Sequence, residues 1–318
     1  MLDHSEASRF PMSDKRMAKK TTTRAELVTS PHNAEELPPD KFTSKEYWNQ
    51  YWSNLKLPLV AERASPDAIT SAVLDIFDRF FSDVVGARVL EIGGAPGQFL
   101  AYGVRKFGWD AHALDYSEVG CGMTVENFKR LGLPVVVHNE DLFDTARALP
   151  EYDIVYSLGF IEHFEDTRSV VQRHLQRVKP GGMLLLGVPH FVDVFWPVLK
   201  LVAPRTARGH NRQALNLDSW RGWEGDLGVM VLHKAYMGGL EPLLILSVIE
   251  EERRLYPNEP VFFQGLARLM LRCLRALQSR AYRLLPRLSR LQPINGRSTS
   301  AYAVGVYRKA VSAAGNIR

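Results

Sequence analysis

The sequence predicts an α/β protein whose centre is a doubly wound parallel sheet. Three observations carry the prediction. Between residues 88 and 189, short apolar runs alternate with amphipathic stretches, the rhythm of strand–helix–strand units. The first run passes into a glycine-rich turn, Gly93-Gly94-Ala95-Pro96-Gly97, which a helix follows. A carboxylate, Asp115, closes the next run about 20 residues after the turn.

The elements follow in order. Residues 1–40 are polar, carry Thr21-Thr22-Thr23 and Pro38-Pro39, and show no hydrophobic period, which predicts a disordered or loosely attached tail. Residues 41–85 predict two helices. Thr43-Ser44-Lys45-Glu46 fits a capping box with Thr43 at the N-cap. Tyr47, Trp48, Tyr51 and Trp52 share one face of the helix that follows, either as ordinary packing or as a lid. Ser65-Pro66-Asp67 opens the second helix, apolar at Ile69, Val73, Ile76, Phe77 and Phe80. Residues 86–189 predict the core, with strands at 88–92, 109–114, 134–138, 153–158 and 183–188 and helices at 97–107, 118–131 and 167–178. Residues 190–240, rich in Trp, Arg, His and Gly, predict an inserted acceptor or lid region. Residues 241–310 predict a strand at 243–249, a basic amphipathic helix at 262–291 and a last strand at 301–307.

Bulk composition narrows the class. With 318 residues, 46% of them hydrophobic, the chain can bury a large core. Cys121 and Cys273 are its two cysteines, which gives no disulfide framework and no zinc pattern and fits a reducing compartment. No apolar run reaches the roughly 18 residues of a membrane span, and the N-terminus lacks a signal-peptide core, so a cytoplasmic protein is expected. The net charge of +5 says less than its distribution. Between Gln264 and Leu291 stand Arg268, Arg272, Arg275, Arg280, Arg283, Arg287 and Arg290, with no acidic residue. They fall within roughly 140° of helical arc, opposite Leu266, Met270, Leu274, Leu277, Leu284 and Leu288. Three readings are open. One is a membrane-peripheral helix that meets an anionic surface through Arg268, Arg272, Arg275, Arg283 and Arg287. Another is a helix packed on the domain by its leucines. The third, ranked below them, is nucleic acid, whose phosphates the arginines would neutralise.

A strand that ends near Glu91 and turns sharply through glycines brings backbone N–H groups close to a ligand. Asp115 can accept hydrogen bonds from two ribose hydroxyls. Both features suit nucleotide-type cofactors. Counted from Gly93, the dinucleotide pattern G-x-G-x-x-G fails, because positions 95 and 98 are Ala and Gln.

Residues 88–189 resemble class I S-adenosylmethionine (SAM)-dependent methyltransferases segment by segment. Val89–Gly97 resembles the family's first motif, Ala113-Leu114-Asp115-Tyr116-Ser117 the second, and Asn139-Glu140-Asp141-Leu142 the third. Tyr152-Asp153-Ile154-Val155-Tyr156-Ser157 resembles the fourth, and Leu175–Gly182 with its strand the segment near the fifth strand. The resemblance implies a Rossmann-like, seven-stranded sheet with an antiparallel last strand and helical insertions. It implies S-adenosyl-L-methionine as cofactor, held by Glu91, Gly93, Gly94, Ala95, Gly97, Asp115, Tyr116, Asp141, Leu142 and Ser157. The expected acceptor is a hydroxyl, or an amine, of a small molecule, glycan or lipid-linked intermediate.

Methyl transfer from a sulfonium needs no acid at the leaving group; it needs an aligned acceptor and, for a hydroxyl, a base. His163, in Gly159-Phe160-Ile161-Glu162-His163-Phe164, is the candidate base, with Glu162 as support, or else a structural helix start. The segment also resembles the ubiquinone-pathway O-methyltransferases, which bind a metal through Glu-x-x-Glu-His. Gly159 stands here in place of the first Glu, so no metal is expected. His210 lies among Arg205, Arg208 and Arg212, either touching a polar acceptor or in a solvated loop. An RNA methyltransferase is the second reading, since Gly94–Phe99 resembles the turn of heat-shock-type ribosomal RNA 2′-O-methyltransferases. That family's aspartate is missing after the fourth strand, where Ser157-Leu158-Gly159 stands. A non-catalytic scaffold of the same fold is the third.

Overall fold

The structure is a computed structural model that describes residues 25–29, 41–53, 55–65, 67–144, 150–193, 195–239, 241–258, 261, 263–284, 295–298 and 300–311. Its elements are β1 (Ala25–Thr29), α1 (Lys45–Trp52), α2 (Ala68–Phe81), β2 (Arg88–Ile92), α3 (Gln98–Phe107), β3 (Asp110–Asp115), α4 (Glu118–Leu131), β4 (Val135–Asn139), β5 (Tyr152–Leu158), α5 (Thr167–Gln176), β6 (Val178–Pro189), α6 (Phe195–Val202), α7 (Pro204–Arg208), α8 (Leu217–Asp226), β7 (Met230–Met237), α9 (Pro242–Leu255), α10 (Gln264–Leu284) and β8 (Tyr302–Arg308). A 3-10 turn, Ile161–His163, follows β5.

The strands form one sheet in the order β1-β4-β3-β2-β5-β6-β8-β7. β8 runs antiparallel to both neighbours, and the other pairs are parallel. This is the expected doubly wound sheet with a reversed last strand, plus one strand more. Alternate residues of each strand feed opposite layers, as the two-residue period requires. Leu90, Leu184 and Leu186 pack with Trp220 and Trp223 on one face. Val89, Leu185 and Val304 pack with Phe77, Phe81 and Trp109 on the other. From β2 the chain winds out through β3 and β4, then returns to place β5 on the opposite side of β2. The crevice at the carboxyl ends of β2 and β5 is therefore the topological switch point, where open α/β sheets bind ligands.

Four expectations need correction. First, the predicted tail over 1–40 contains β1, which pairs with β4 from Ala25↔Val135 to Thr29↔Asn139; the rest of 1–40 lies outside the described residues. The pairing uses the backbone groups β4 would otherwise expose at an edge, a tertiary effect with no local period. Second, the N-cap of α1 is Ser44, not Thr43; Ser44 Oγ accepts from the Tyr47 N–H. Thr43 instead accepts from Trp48 Nε1 at 3.0 Å. Third, the strand expected at 243–249 is helix α9. Ile245, Val248, Ile249 and Glu252 are buried at helical spacing, and a short apolar run does not distinguish the two periods. The missing strand is β7, inside the region expected to be an insertion.

The fourth correction concerns α10. Its inward side carries Gln264, Ala267 and Leu271, and Arg268 and Arg275 pair there with Glu250 and Glu241. Leu266, Leu269, Met270 and Leu277 are 60–63% exposed. The leucine stripe faces away from α9, because the acids that suit the arginines stand on and beside α9. Arg283 lies in α10, but its side chain, like all of Arg287 and Arg290, lies outside the described residues.

Gly103 of α3 is packed against a fully buried indole. A Cβ there would stand 2.0 Å from Trp109 Cε3. Gly103→Ala gains helix propensity of about 1 kcal/mol, but overpacking costs about 1–3 kcal/mol. The expected result is a net loss of stability in urea unfolding; a more stable variant would show that Trp109 can yield.

Candidate active site

β2, β3 and β5 deliver their last residues to one crevice. Gly93, after β2, has φ +68°, and its N–H donates to the Leu114 carbonyl at 2.8 Å. A Cβ on Gly93 would stand 2.3 Å from Phe160 Cδ2, and one on Gly94 would stand 2.3 Å from Glu91 Cδ. Glycine at both positions lets the backbone lie directly on the Glu91 carboxyl and the Phe160 ring. Gly97, at φ +76°, is the N-cap of α3 and turns the chain into that helix.

Two connected cavities open along this edge. One is lined by Lys41, Trp48, Asp115, Tyr116, Asp141 and Leu142, among others. The other, of about 450 Å³, is lined by Glu91, Gly94, Ala95, Glu162 and His163, with walls from Tyr47, Tyr51, Phe191, His210 and Val248. Gly93, Gly159, Trp48, Trp52 and His163 border both. The aromatic face of α1 thus covers the crevice, and Tyr47 Oη ties α1 to α9 by donating to Glu251 at 2.7 Å.

The carboxyls here are desolvated. Burial pushes Glu91 up to about 8, against the pull of the Tyr156 hydroxyl. Its Oε2 has no hydrogen-bond partner among the described residues. Burial also pushes Asp115 up to about 7, opposed by the backbone N–H groups of Ser117 and Tyr116. Glu162, wholly buried, is pushed up to about 8, and neither of its oxygens has a hydrogen-bond partner among the described residues. Burial, with His210 adjacent, holds His163 well below its ordinary value. Burial also lowers His210, to about 4.

Both histidines have a defined tautomer. His163 Nδ1–H donates to the Gly209 carbonyl at 2.9 Å, and His210 Nδ1–H donates to the Thr206 carbonyl at 2.6 Å. Each Nε2 therefore keeps its lone pair. The loop around His210 is pinned to the turn after β5. Asn211 N–H donates to the Glu162 carbonyl at 2.6 Å, and its amide donates to the Phe164 and Glu165 carbonyls. Glu252 of α9 caps α7 by accepting from the Thr206 N–H at 2.9 Å and from its hydroxyl.

The expected site residues Glu91, Gly93, Gly94, Ala95, Asp115, Tyr116, Asp141, Leu142, Glu162 and His163 all line the two cavities. Ser157 does not: its hydroxyl donates to His174 Nε2 at 3.0 Å in the core beneath. Serine at a strand end alternates between site and core, and here the core histidine takes it. Lys41, which ion-pairs with Asp141 beside the Tyr116 ring, was not legible in a stretch without periodicity. His210, which the sequence left open, is turned inward against His163, with ring centroids 4.7 Å apart.

Residues 62–232, more than half of the chain, match the family described as "Methyltransferase domain". Among curated proteins, the ubiquinone biosynthesis O-methyltransferase of Rhizobium etli (strain CIAT 652) is 29% identical over 101 residues, 32% of this chain and 40% of that protein. That of Shewanella sp. (strain ANA-3) is 29% identical over 116 residues, 35% of this chain and 47% of that protein. The chain spans 40 to 49% of the length of the curated relatives it matches. Among solved structures, the 4+2 cyclase SpnF superposes with a TM-score of 0.53 at 14% identity, over 91% of this chain and 100% of that one. A provisionally assigned sarcosine dimethylglycine methyltransferase from Galdieria sulphuraria superposes with a TM-score of 0.51 at 17% identity, over 84% of this chain and 98% of that one. These likenesses speak for the fold, and the family match speaks for the chemistry. The chain belongs to the methyltransferase-domain family and is a class I enzyme whose methyl donor is S-adenosyl-L-methionine.

Proposed function

We propose that the chain transfers the methyl group of S-adenosyl-L-methionine to a hydroxyl of a small, apolar-bodied molecule. One observation carries the reading: His163 borders both the cavity of Asp115 and Asp141 and the cavity beside Glu91. Adenosine held by Asp115 and Asp141, and the donor's ammonium group held by Glu91, bring the sulfonium to the junction where His163 stands. The acceptor enters the larger cavity between Tyr47, Tyr51, Phe191, Leu244 and Val248. Its mainly apolar walls suit a small molecule. Among the described residues, no lysine or arginine lines that side, which gives an RNA phosphate backbone nothing to pair with. The hydroxyl acceptor also agrees with the O-methyltransferase names of the partial-length relatives.

In this reading His163 Nε2 accepts the hydroxyl proton as the oxygen attacks the methyl carbon and the carbon–sulfur bond breaks. The donor's positive charge disappears, so its sulfur leaves without help. Gly209 fixes the imidazole tautomer, and the Trp48 ring, 5.0 Å away and perpendicular, holds its plane. His163→Ala is expected to lower turnover by about 100-fold or more with the calorimetric Kd for SAM unchanged. Full turnover removes His163 from the chemistry.

SAM affinity should depend on pH. Asp115 accepts ribose hydrogen bonds best as a carboxylate, and its pKa of about 7 places the change near neutrality. The Asp115 contribution is therefore full well above pH 7 and falls as pH drops through it, by at most about tenfold per pH unit, below a separate step near pH 8 from Glu91. Asp115→Asn should bind SAM more weakly and flatten that part of the profile. An Asn variant that binds with the wild-type affinity and profile rejects the ribose assignment.

We also propose that α10 meets an anionic membrane surface, with the solvent-facing leucines entering the interface and the flanking arginines meeting headgroups. No helix among the described residues is long and apolar enough to cross a membrane, so contact would be peripheral. Flotation with phosphatidylglycerol-containing vesicles is expected to carry the protein. Leu269→Glu with Leu277→Glu should release it, and Arg272→Gln should weaken the salt-sensitive part. Failure of the wild type to float, or flotation indifferent to the leucine changes, overturns the proposal.

A further inference from the structure

The cluster of Glu162, His163 and His210 has a property that proton transfer alone does not use. One carboxylate oxygen and one nitrogen from each histidine all lie within 4.8 Å of one another. A buried imidazole, a half-buried one and a buried carboxylate converge beside the acceptor cavity, from two segments 47 residues apart in the chain.

We infer that Glu162, His163 and His210 form a binding site for one divalent first-row transition-metal cation, with His210 supplying the third ligand from the segment between β6 and β7. Three features of these residues fit such a cation. Each Nδ1 donates to a backbone carbonyl, from Gly209 or Thr206, which leaves each Nε2 lone pair for coordination. That arrangement, an imidazole ligand oriented through its other nitrogen, is the usual outer support of a metal-bound histidine. Glu162 is 0% exposed, and neither of its oxygens has a hydrogen-bond partner among the described residues. A buried carboxylate in that state is costly unless a cation or donor meets it. The loop carrying His210 is held against Glu162 by the Asn211 N–H and against His163 by the Gly209 carbonyl, so the three ligands come from one rigid junction.

Three ligands about 2.0–2.2 Å from one cation stand about 2.8–3.6 Å from each other. The three atoms, within 4.8 Å of one another, close by roughly 1–2 Å on binding, through rotation of the Glu162 carboxyl and the imidazoles. Two imidazoles with one carboxylate favour zinc, cobalt, iron or manganese over magnesium and calcium, and three protein ligands leave positions open. Gly159, at φ +79°, has Glu162 Oε1 3.5 Å from where its Cβ would be, so position 159 offers no ligand and His210 approaches the carboxylate instead. A bound cation at this place would take the His163 Nε2 lone pair and supply Lewis-acid polarisation of the acceptor oxygen in place of proton transfer to that nitrogen. That use rests on the O-methyl transfer proposed above; the binding site itself does not.

The test uses the full chain, stripped of metal by chelation and checked for SAM binding. Zn²⁺ is titrated by calorimetry, and Co²⁺ by its visible absorption bands. The expected result is one equivalent bound by the wild type. Glu162→Gln and His210→Ala are expected to raise the Kd by about 10- to 100-fold or more and to abolish the cobalt bands. His233→Ala, on β7 outside the cluster, is expected to bind like the wild type. Should His210→Ala unfold, His210→Gln keeps the volume and the measurement. Absence of Zn²⁺ and Co²⁺ binding in the wild type overturns the inference, as does equal binding by the His210 variants. Metal binding is read directly, so an enzyme that binds Zn²⁺ but methylates an amine would reject only the hydroxyl reading. One that methylates a hydroxyl but binds no metal would reject only the site.

Discussion

The contact of the Gly93-Gly94 backbone with the Glu91 carboxyl and the Phe160 ring is the constraint on which the site depends. Neither position has room for a Cβ, since each would stand 2.3 Å from those groups. Because the backbone lies there, Glu91 is sealed beneath the turn with an oxygen that meets no group among the described residues. Because Phe160 is pressed from above, and packs on Phe164 and His174 at 5.1 and 5.6 Å, the 3-10 turn carrying Glu162 and His163 is fixed by the same contact. One close approach thus fixes Glu91 and the turn of Glu162 and His163 relative to each other. A methyl-sized change at the turn displaces both, which is a stricter demand than holding a cofactor alone.

The rest of the site is built by segments that meet each other over the crevice rather than on the sheet. α1 reaches α9 through Tyr47 and Glu251, and Arg254 of α9 donates to the Tyr51 carbonyl at 3.1 Å. α9 caps α7 through Glu252, and α7 leads to the Gly209–Asn211 loop that holds the β5 turn. Burial of Glu251, which lifts it to about 7, shows how dry that junction is. The sheet edge with its turn and Asp115 falls within the family match, whereas α1 and α9 lie outside residues 62–232. The larger cavity therefore takes Tyr47, Tyr51, Leu244 and Val248 from segments outside that match.

That division explains what the sequence could show. Strands β2 to β6 were legible because each apolar run is bounded by turn residues and, β4 excepted, a helix follows before the next strand, so local period and tertiary role agree. Glu91, Asp115 and Asp141 followed from position, being at or just past strand ends. β1 and β7 were not legible, because their pairing partners, β4 and β8, supply the order that local sequence lacks. The helix α9 was misread because the six apolar residues of 243–249 fit either period until Glu252 and Leu255 are counted with them. Ser157 failed because the residue beneath a strand end is decided by its neighbour, here His174. His210 needed three backbone contacts from a distant turn, and no local signal marks such contacts.

α10 shows the same conflict in energetic terms. Its hydrophobic period places the leucines on one side, and helix packing in water should bury that side. The structure instead turns inward the side bearing Arg268 and Arg275, which meet Glu250 and Glu241. Ion pairs that remain partly open to solvent are worth about 0–1 kcal/mol each. Leu266, Leu269, Met270 and Leu277, each 60–63% exposed, forgo more than half of the about 1.5–3 kcal/mol that full burial of such a side chain brings. Three ion pairs to Glu250 and Glu241 and the packing of Gln264, Ala267 and Leu271 hold that side inward, and the leucine stripe is left uncovered. In the membrane contact proposed above, an apolar surface over the stripe recovers that burial without disturbing the pairs, the leucines supply the binding and the flanking arginines select an anionic surface.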